Sequence, residues 1–244
     1  MLKNIQSVIF DLDGTLVDSM WLWHDIDVEF LEQRGLTLPE TYQHDIEGMS
    51  FTETAIYTKE LFHLKESVEE LKSIWNQMAF DKYSHEVYFK PGAEKFLQYC
   101  REQGITLGIA TSNSKELVQA VTTALQFDAL IDVVVTACEV AHGKPAPDVY
   151  LEAAKKLSAK PEECLVFEDV PMGIRAGKNA GMRVCAVDDP FSAHQENEKR
   201  RLADYYISSY EQVLDNTYEI RSCYGGNVFA NLPRGYGSAG NCTV

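Results

Sequence analysis

No run of about 18 apolar residues occurs in the sequence, so a transmembrane helix is excluded. The opening residues, Met1-Leu2-Lys3-Asn4-Ile5-Gln6, have no long apolar stretch and lead to an acid at Asp11; a signal peptide is not expected. Basic residues are scarce: 22 Lys and Arg stand against 37 Asp and Glu, a formal net charge of −15. Nucleic acid and anionic membranes are therefore not expected partners, although an acidic mean leaves room for one cationic pocket that takes a small anion. The six cysteines, Cys100, Cys138, Cys164, Cys185, Cys223 and Cys242, include no C-x-x-C pair and are irregularly spaced, which argues against zinc. Without a secretory leader, no disulfide framework is expected either. Four cysteines read as small core residues and two fall in the tail. The expected compartment is the cytoplasm.

What is present suits a globular chain: 45% apolar and 24% charged residues. A length of 244 residues fits one large domain, or one domain with an insert, at roughly 150 residues per domain. Ser7-Val8-Ile9-Phe10 reads as a strand buried on both faces. From Val17 to about Tyr83 the pattern is helical and no strand is evident. Trp23, Ile26 and Phe30 form one helical stripe, Asp18 or Ser19 is the expected cap, and Gly35 follows the end. Helices are also expected over 52–62 and 67–80.

After Pro91-Gly92 strands and helices alternate. Strands are expected at 105–110, 133–136, 164–167 and 183–187, and helices at 93–103, 115–125, 148–157 and 173–180. This rhythm predicts an α/β fold, a Rossmann-like parallel sheet core with an inserted all-helical domain. The core comprises residues 1–16 and 88–216, and the helical insertion residues 17–87. Five of the 15 glycines follow Cys223 and no acid follows Glu219. Residues 217–244 therefore read as a Gly-rich, disordered tail.

In an open parallel sheet, ligands bind beyond the carboxyl ends of the strands. The successive strand ends carry Asp11 and Asp13, then Thr111-Ser112-Asn113, then a loop with His142-Gly143-Lys144-Pro145, then Glu168-Asp169. Singly, each has an ordinary reading as a solvated turn, a helix cap or a surface loop. His142 reads as a solvent-exposed loop residue. Together and in order they bring carboxylates, hydroxyls and one ammonium to one crevice.

The string Asp11-Leu12-Asp13-Gly14-Thr15-Leu16-Val17-Asp18-Ser19 resembles the first motif of the haloacid dehalogenase superfamily. Thr111-Ser112 resembles the second motif, Lys144-Pro145 the third, and Glu168-Asp169 with Gly173 and Gly181 the fourth. The helical insertion is similar to the small cap of the β-phosphoglucomutase-like branch. The resemblance spans roughly residues 5–215. It implies magnesium-dependent phosphoryl chemistry through an aspartyl phosphate.

On that basis Asp11 is the expected nucleophile and Asp13 the expected general acid and base. Thr111, Ser112, Asn113 and Lys144 bind phosphate. The Mg2+ ligands are Asp11, Asp169, Asp13 through its backbone carbonyl, and Glu168 directly or one hydrogen bond removed. The physics fits: two unit charges of like sign about 4 Å apart cost roughly 4 kcal/mol at an effective dielectric near 20. Cations and donors must offset that repulsion before a carboxylate can attack a phosphate ester. Asp13 must be neutral as substrate arrives, and neighbouring anions push a carboxyl that way. Since the dehalogenases lack an acid at that position, carbon–halogen cleavage is discounted. Thr15 is expected to support Asp13 or to cap a turn.

Trp21, His24 and Phe51 are the candidate leaving-group contacts from the insertion, with Met49 and Thr52 beside them. Trp23 is assigned to core packing. Mutases of the branch carry a His on the first cap helix, where Trp23 falls one residue before His24. They also carry an Arg in the cap loop, where Phe51 falls. The expected activity is thus hydrolysis of small phosphomonoesters such as sugar or nucleoside phosphates; the alternative is a β-phosphoglucomutase-type phosphosugar mutase. Monomer and homodimer are not distinguished.

Overall fold

The computed structural model describes residues 1–221 and 227–229. Ser7–Phe10 (β1) is buried along its whole length. Val17–Asp18 (β2) then leads into Met20–Glu32 (α1), Tyr42–Asp45 (α2), Phe51–Phe62 (α3) and Val68–His85 (α4). Tyr88–Phe89 (β3) returns antiparallel to β2. The alternating half follows as Ala93–Glu102 (α5), Thr106–Thr111 (β4), Lys115–Ala124 (α6), Val133–Thr136 (β5), Asp148–Lys156 (α7) and Cys164–Glu168 (β6). Pro171–Asn179 (α8), Arg183–Val187 (β7), Glu196–Leu202 (α9), Tyr205–Ile207 (β8), Glu211–Leu214 (α10), Glu219–Arg221 (β9) and Asn227–Phe229 (β10) complete it.

The sheet runs β10-β9-β8-β7-β6-β1-β4-β5. It is parallel from β8 to β5, and β9 and β10 join antiparallel at the edge. β1 lies between β6 and β4, so the chain reverses its direction of winding at β1 and opens a crevice at the strand's carboxyl end. Phe10, Phe96, Phe167 and Tyr210 pack one sheet face, with Phe10 and Phe167 stacked at 5.3 Å and Phe96 on Tyr210 at 5.4 Å. Ile9, Tyr150, Val166 and Ile174 fill the opposite face.

Two of the inserted helices start on the same device. Ser50 accepts from the Glu53 N–H while Glu53 accepts from the Ser50 N–H, and Ser67 and Glu70 repeat the arrangement. The insertion's own apolar centre includes Phe30, Leu71, Ala55 and Trp75, the rings of Phe30 and Trp75 meeting edge-on at 5.6 Å.

The strand–helix alternation is as expected from the sequence. Other details differ, and the strand at Tyr205–Ile207 and the helices at Tyr42–Asp45, Glu196–Leu202 and Glu211–Leu214 were not expected. The β2–β3 ribbon closes the base of the insertion; two residues per strand leave no periodicity to read. Residues 219–221 and 227–229 are strands rather than disordered tail, Ile220 pairing across from Tyr205. The disorder expected for the rest of 217–244 concerns 222–226 and 230–244, which lie outside the described residues. Cys100, Cys164 and Cys185 are buried but Cys138 is exposed; Cys223 and Cys242 lie outside the described residues.

Candidate active site

Asp11 directly follows β1, its N–H donating to the Phe167 carbonyl at 3.0 Å and so continuing the β1–β6 ladder. Asp169 directly follows β6. One carboxylate oxygen each from Asp11, Glu168 and Asp169 can be chosen within 4.8 Å of one another, all three residues buried. Burial and the neighbouring Glu168 push the Asp11 carboxyl up to about 7, although the Lys144 ammonium opposes the shift. Burial, then Glu168 and Asp11, push Asp169 well above the usual carboxylate range.

Lys144 is the cation built into this cluster. Its Nζ donates to Asp11 Oδ1 at 2.6 Å and to Glu168 Oε1 at 2.5 Å. Those two carboxylates hold it protonated against its burial. Glu168 is saturated by the protein itself. Oε1 also accepts from the Tyr150 hydroxyl at 2.7 Å, and Oε2 accepts the N–H groups of Asp169 and Val170. Asp169 Oδ1 accepts from the Thr15 hydroxyl at 3.0 Å, so Thr15 supports Asp169 rather than Asp13. Its Oδ2 is buried without a partner among the described residues.

A carboxylate oxygen with no donor, beside a second buried carboxylate, fits a hard divalent cation. The donor set is oxygen only, without His or Cys, which suits magnesium-like ions better than zinc. Two glycines make room for it. Gly14 has φ of +74°, and a Cβ there would stand 2.5 Å from Asp169 Oδ2. A Cβ at Gly173 would stand 1.8 Å from Glu168 Oε1.

Asp13 occupies a different setting. Its Oδ1 accepts from the hydroxyl of Tyr83 on α4 and from Ser19 Oγ at 2.6 Å, and its Oδ2 from Asn113 Nδ2 at 3.0 Å. Tyr83 in turn accepts from Asn113 Nδ2 at 2.9 Å and from Trp23 Nε1 at 2.8 Å. Ser19, expected as a helix cap, spends its hydroxyl on Asp13 and makes no side-chain cap bond to α1.

The second strand end is partly committed. Thr111 Oγ1 accepts the Asn113 N–H at 3.0 Å, which leaves the Thr111 O–H to donate to a ligand but removes the Asn113 N–H from the phosphate role. Ser112 ties the core to the insertion, its carbonyl accepting the Phe51 N–H at 3.0 Å. His142 is exposed as expected and meets Asp148 at 3.1 Å.

A cavity of about 280 Å³ lies between these strand ends and the insertion. Asp11, Asp13, Thr111, Ser112, Asn113, Lys144 and Asp169 line it from the core; Glu168 sits behind Lys144. From the insertion it receives Phe51 and Met49 as expected, but not Trp21 or His24. The Trp21 indole turns back to the Asp18 carbonyl at 3.1 Å and lies under the Lys82 ammonium, and His24 is exposed. Trp23, assigned to packing from its stripe, does pack against the core cluster and lines the cavity as well. A helix presents a new face every 100°, and the heptad stripe alone does not say where the buried face ends.

Sequence reasoning also missed Tyr83, Asp27, Gln43 and Trp75, which sit among ordinary helical residues. It missed Ser192 too, whose Oγ donates to the Asp169 carbonyl at 2.9 Å and accepts from the buried Lys199 at the same distance.

The sequence profile described as haloacid dehalogenase-like hydrolase matches residues 8–187. Hexitol phosphatase A of Escherichia coli is 32% identical over 207 residues, covering 84% of this chain and 91% of its own. The bifunctional riboflavin kinase/FMN phosphatase of Arabidopsis thaliana is 29% identical over 96% of this chain, which spans 65% of that longer protein. Among solved structures, CbbY from Rhodobacter sphaeroides in complex with phosphate superposes with a TM-score of 0.75 at 25% identity, covering 86% of this chain and 96% of the other.

Proposed function

The chain belongs to the haloacid dehalogenase-like hydrolases, and from that premise we propose a magnesium-dependent phosphatase that hydrolyses small phosphomonoesters through a phosphorylated Asp11. The observation that carries this reading is the meeting of Asp11, Lys144 and Asp169 in one buried cluster, with Lys144 Nζ at 2.6 Å from Asp11 and an Asp169 oxygen left without a donor. Relatives carrying phosphatase names support the same reaction class.

Each side chain then has a separable task. Asp11 Oδ attacks phosphorus, and the bond to the leaving oxygen breaks. Asp13 gives its proton to that oxygen and later takes one from the attacking water. Asn113, Ser19 and Tyr83 fix the Asp13 carboxyl so that it meets the leaving group rather than the phosphate. Lys144 places a permanent positive charge beside the nucleophile and the transferring oxygens. The Thr111 hydroxyl and the Ser112 N–H donate to those oxygens. Glu168 holds Lys144 in place. Asp11 and Asp169 would hold the metal, with the Asp13 carbonyl as a third oxygen; when bound, Mg2+ offsets the repulsion between phosphate and carboxylate.

The helices α1–α4 act as a cap that walls the reaction from bulk water. The mutase alternative requires a second phosphate to be bound. Among the described residues lining the cavity, Lys144 is the one Lys or Arg, and Phe51 occupies the cap loop. Hydrolysis needs no second cation. Among the described residues no helix is long and apolar enough to cross a membrane.

The test is phosphate release from a panel of phosphomonoesters. Turnover is expected with magnesium, and exhaustive EDTA treatment should abolish it until magnesium is returned. Undiminished turnover in EDTA, or interconversion of sugar phosphate isomers without free phosphate, contradicts the reading.

A further inference from the structure

Four buried side-chain polar atoms lack a hydrogen-bond partner among the described residues. Three of them belong to residues that line the active-site cavity: Asp169 Oδ2, Trp75 Nε1 and Gln195 Oε1. The first has a partner in the proposed metal. The other two have no task in the phosphoryl chemistry. Buried donors and acceptors are rarely left unpaired, and a cavity is where a ligand can complete them.

A fourth group shares the same wall. Asp27 lies on α1, eight residues past Ser19 and so roughly 12 Å along the helix. It is 8% exposed and lines the cavity. The one hydrogen bond its carboxyl accepts among the described residues comes from Gln43 Nε2, at 2.7 Å to Oδ2. No Lys or Arg faces it: Lys144, the one such residue on the cavity lining, is bound to Asp11 and Glu168. An acid buried without a cation costs the fold stability, so its packing among apolar helices points to recognition rather than to structure.

Part of the remaining wall is aromatic. Trp23 meets Phe51 at 6.0 Å, and Phe51 meets Trp75 at 5.8 Å, each edge to face. A wall of this kind accepts a flat or apolar face, with a few polar atoms to fix orientation.

Resting on the phosphatase reading, we propose that Asp27, Gln43 and Trp75 form the subsite for the leaving group, and that this group is uncharged, presents an apolar or planar face, and carries at its far end an N–H or O–H donor for Asp27 beside an acceptor for the Trp75 N–H. Anionic leaving groups are disfavoured by the same residues, since Asp27 and Glu47 line the cavity beside His44 and His194, and Lys144, the one Lys or Arg among the described lining residues, is bound to Asp11 and Glu168. A nucleoside, whose base offers adjacent N–H and C=O, and a polyol, whose hydroxyls do both, share this chemistry.

Four esters separate the possibilities, compared by kcat/KM with magnesium: uridine 5′-monophosphate, glucitol 6-phosphate, phenyl phosphate and 2-phosphoglycolate. The first or second is expected to rank highest, and which of them does so identifies the source of the donor. Asp27→Asn keeps an oxygen for Gln43 but replaces the acceptor pair. It should lower kcat/KM for the leading ester by about tenfold or more, mainly through KM, and by a much smaller factor for phenyl phosphate, which has no distal donor. Trp75→Phe keeps an aromatic ring, though a smaller one, and deletes the N–H; it should show the same selectivity, so either variant decides the matter if the other fails to fold. First rank for 2-phosphoglycolate, or losses in both variants that are equal across the esters, overturns the subsite while leaving the phosphatase intact. A wild-type protein that hydrolyses none of the four overturns the phosphatase reading, and the subsite with it.

Discussion

The Tyr83 hydroxyl, near the end of the last cap helix, donates to the Asp13 carboxylate at the end of the first core strand. The residues are 70 apart in sequence and belong to different layers of the molecule. Trp23, also from the cap, donates to the same Tyr83 oxygen at 2.8 Å. The cap therefore does more than cover the crevice: it sets the direction of the side chain assigned to acid and base work.

Tyr83→Phe tests that coupling. The ring stays, the donor to Asp13 is lost, and the Trp23 and Asn113 N–H groups lose an acceptor. Stability should fall by about 1–3 kcal/mol. The catalytic effect should depend on the leaving group. For an alkyl phosphate, kcat should fall by about 10-fold or more, a part of the roughly 100- to 10,000-fold attributed to a positioned acid. For p-nitrophenyl phosphate, whose leaving group needs little protonation, the loss should be smaller. Equal losses on both esters would assign Tyr83 to folding alone.

Lys144→Met should abolish turnover and also destabilise the fold. Removing one partner of a buried ionic cluster leaves the other charges uncompensated, at a cost of about 3–5 kcal/mol. Asp11 and Glu168 would then face each other with nothing between them. Thermal unfolding at neutral pH, read beside phosphate release, checks both effects.

Gly14→Ala should disturb the proposed metal site with no change of charge. Its Cβ would lie 2.5 Å from Asp169 Oδ2, and its φ of +74° is unfavourable for alanine. Turnover should fall by about 100-fold or more at saturating substrate. Calorimetric magnesium affinity should fall in parallel. Affinity equal to wild type would remove Asp169 Oδ2 from the site.

Asp27→Asn should stabilise the protein at pH 8. Burial pushes the Asp27 carboxyl up to about 7, against an unfolded value near 3.9. The folded state therefore holds the proton more tightly, and stability from this group falls as pH rises from about 4 through 7. Above that window the wild type bears the whole cost of a buried carboxylate, on the order of 2–4 kcal/mol. The asparagine variant should melt roughly 5–10 °C higher at pH 8. The gap should narrow steadily as pH is lowered toward 4. A gap independent of pH would mean that Asp27 does not titrate in the folded protein.

The sheet and the core half of the site were legible because both follow from short-range rules. Val8-Ile9-Phe10 is apolar without alternation, so it is a central strand, and a central strand of a parallel sheet must deliver Asp11 to the crevice. Asp169 follows by the same reasoning at the end of the next buried strand, while Lys144, in a loop eight residues past Thr136, was placed in the site by the resemblance of Lys144-Pro145 to the family's third motif. The cap half was legible only in part: Phe51 and Met49 line the cavity as expected, but Trp21 and His24 do not. Trp21 and Trp23 are both tryptophans on one helix turn, and which of them faces the cavity depends on the angle at which α1 crosses the core. Ser19 looks like a helix cap because nothing local says that Asp13 competes for its hydroxyl. Tyr83 and Asp27 occupy positions where a helix would accept almost any residue, and only the packing of α1 against α4 and of both against the core gives them a role. The edge strand at 219–221 was hidden for a similar reason: its pairing with β8 is a long-range event with a weak local pattern.

The central claim is that Asp11 carries the phosphoryl group during turnover. Wild-type protein turning over a phosphate-labelled ester with magnesium should be quenched in acid, and the peptides mapped for bound phosphate. The expected result is label on the Asp11 carboxyl, absent in Asp11→Asn, which should fold as wild type and release no phosphate. Label on another residue, or phosphate release from Asp11→Asn at the wild-type rate, would contradict the account.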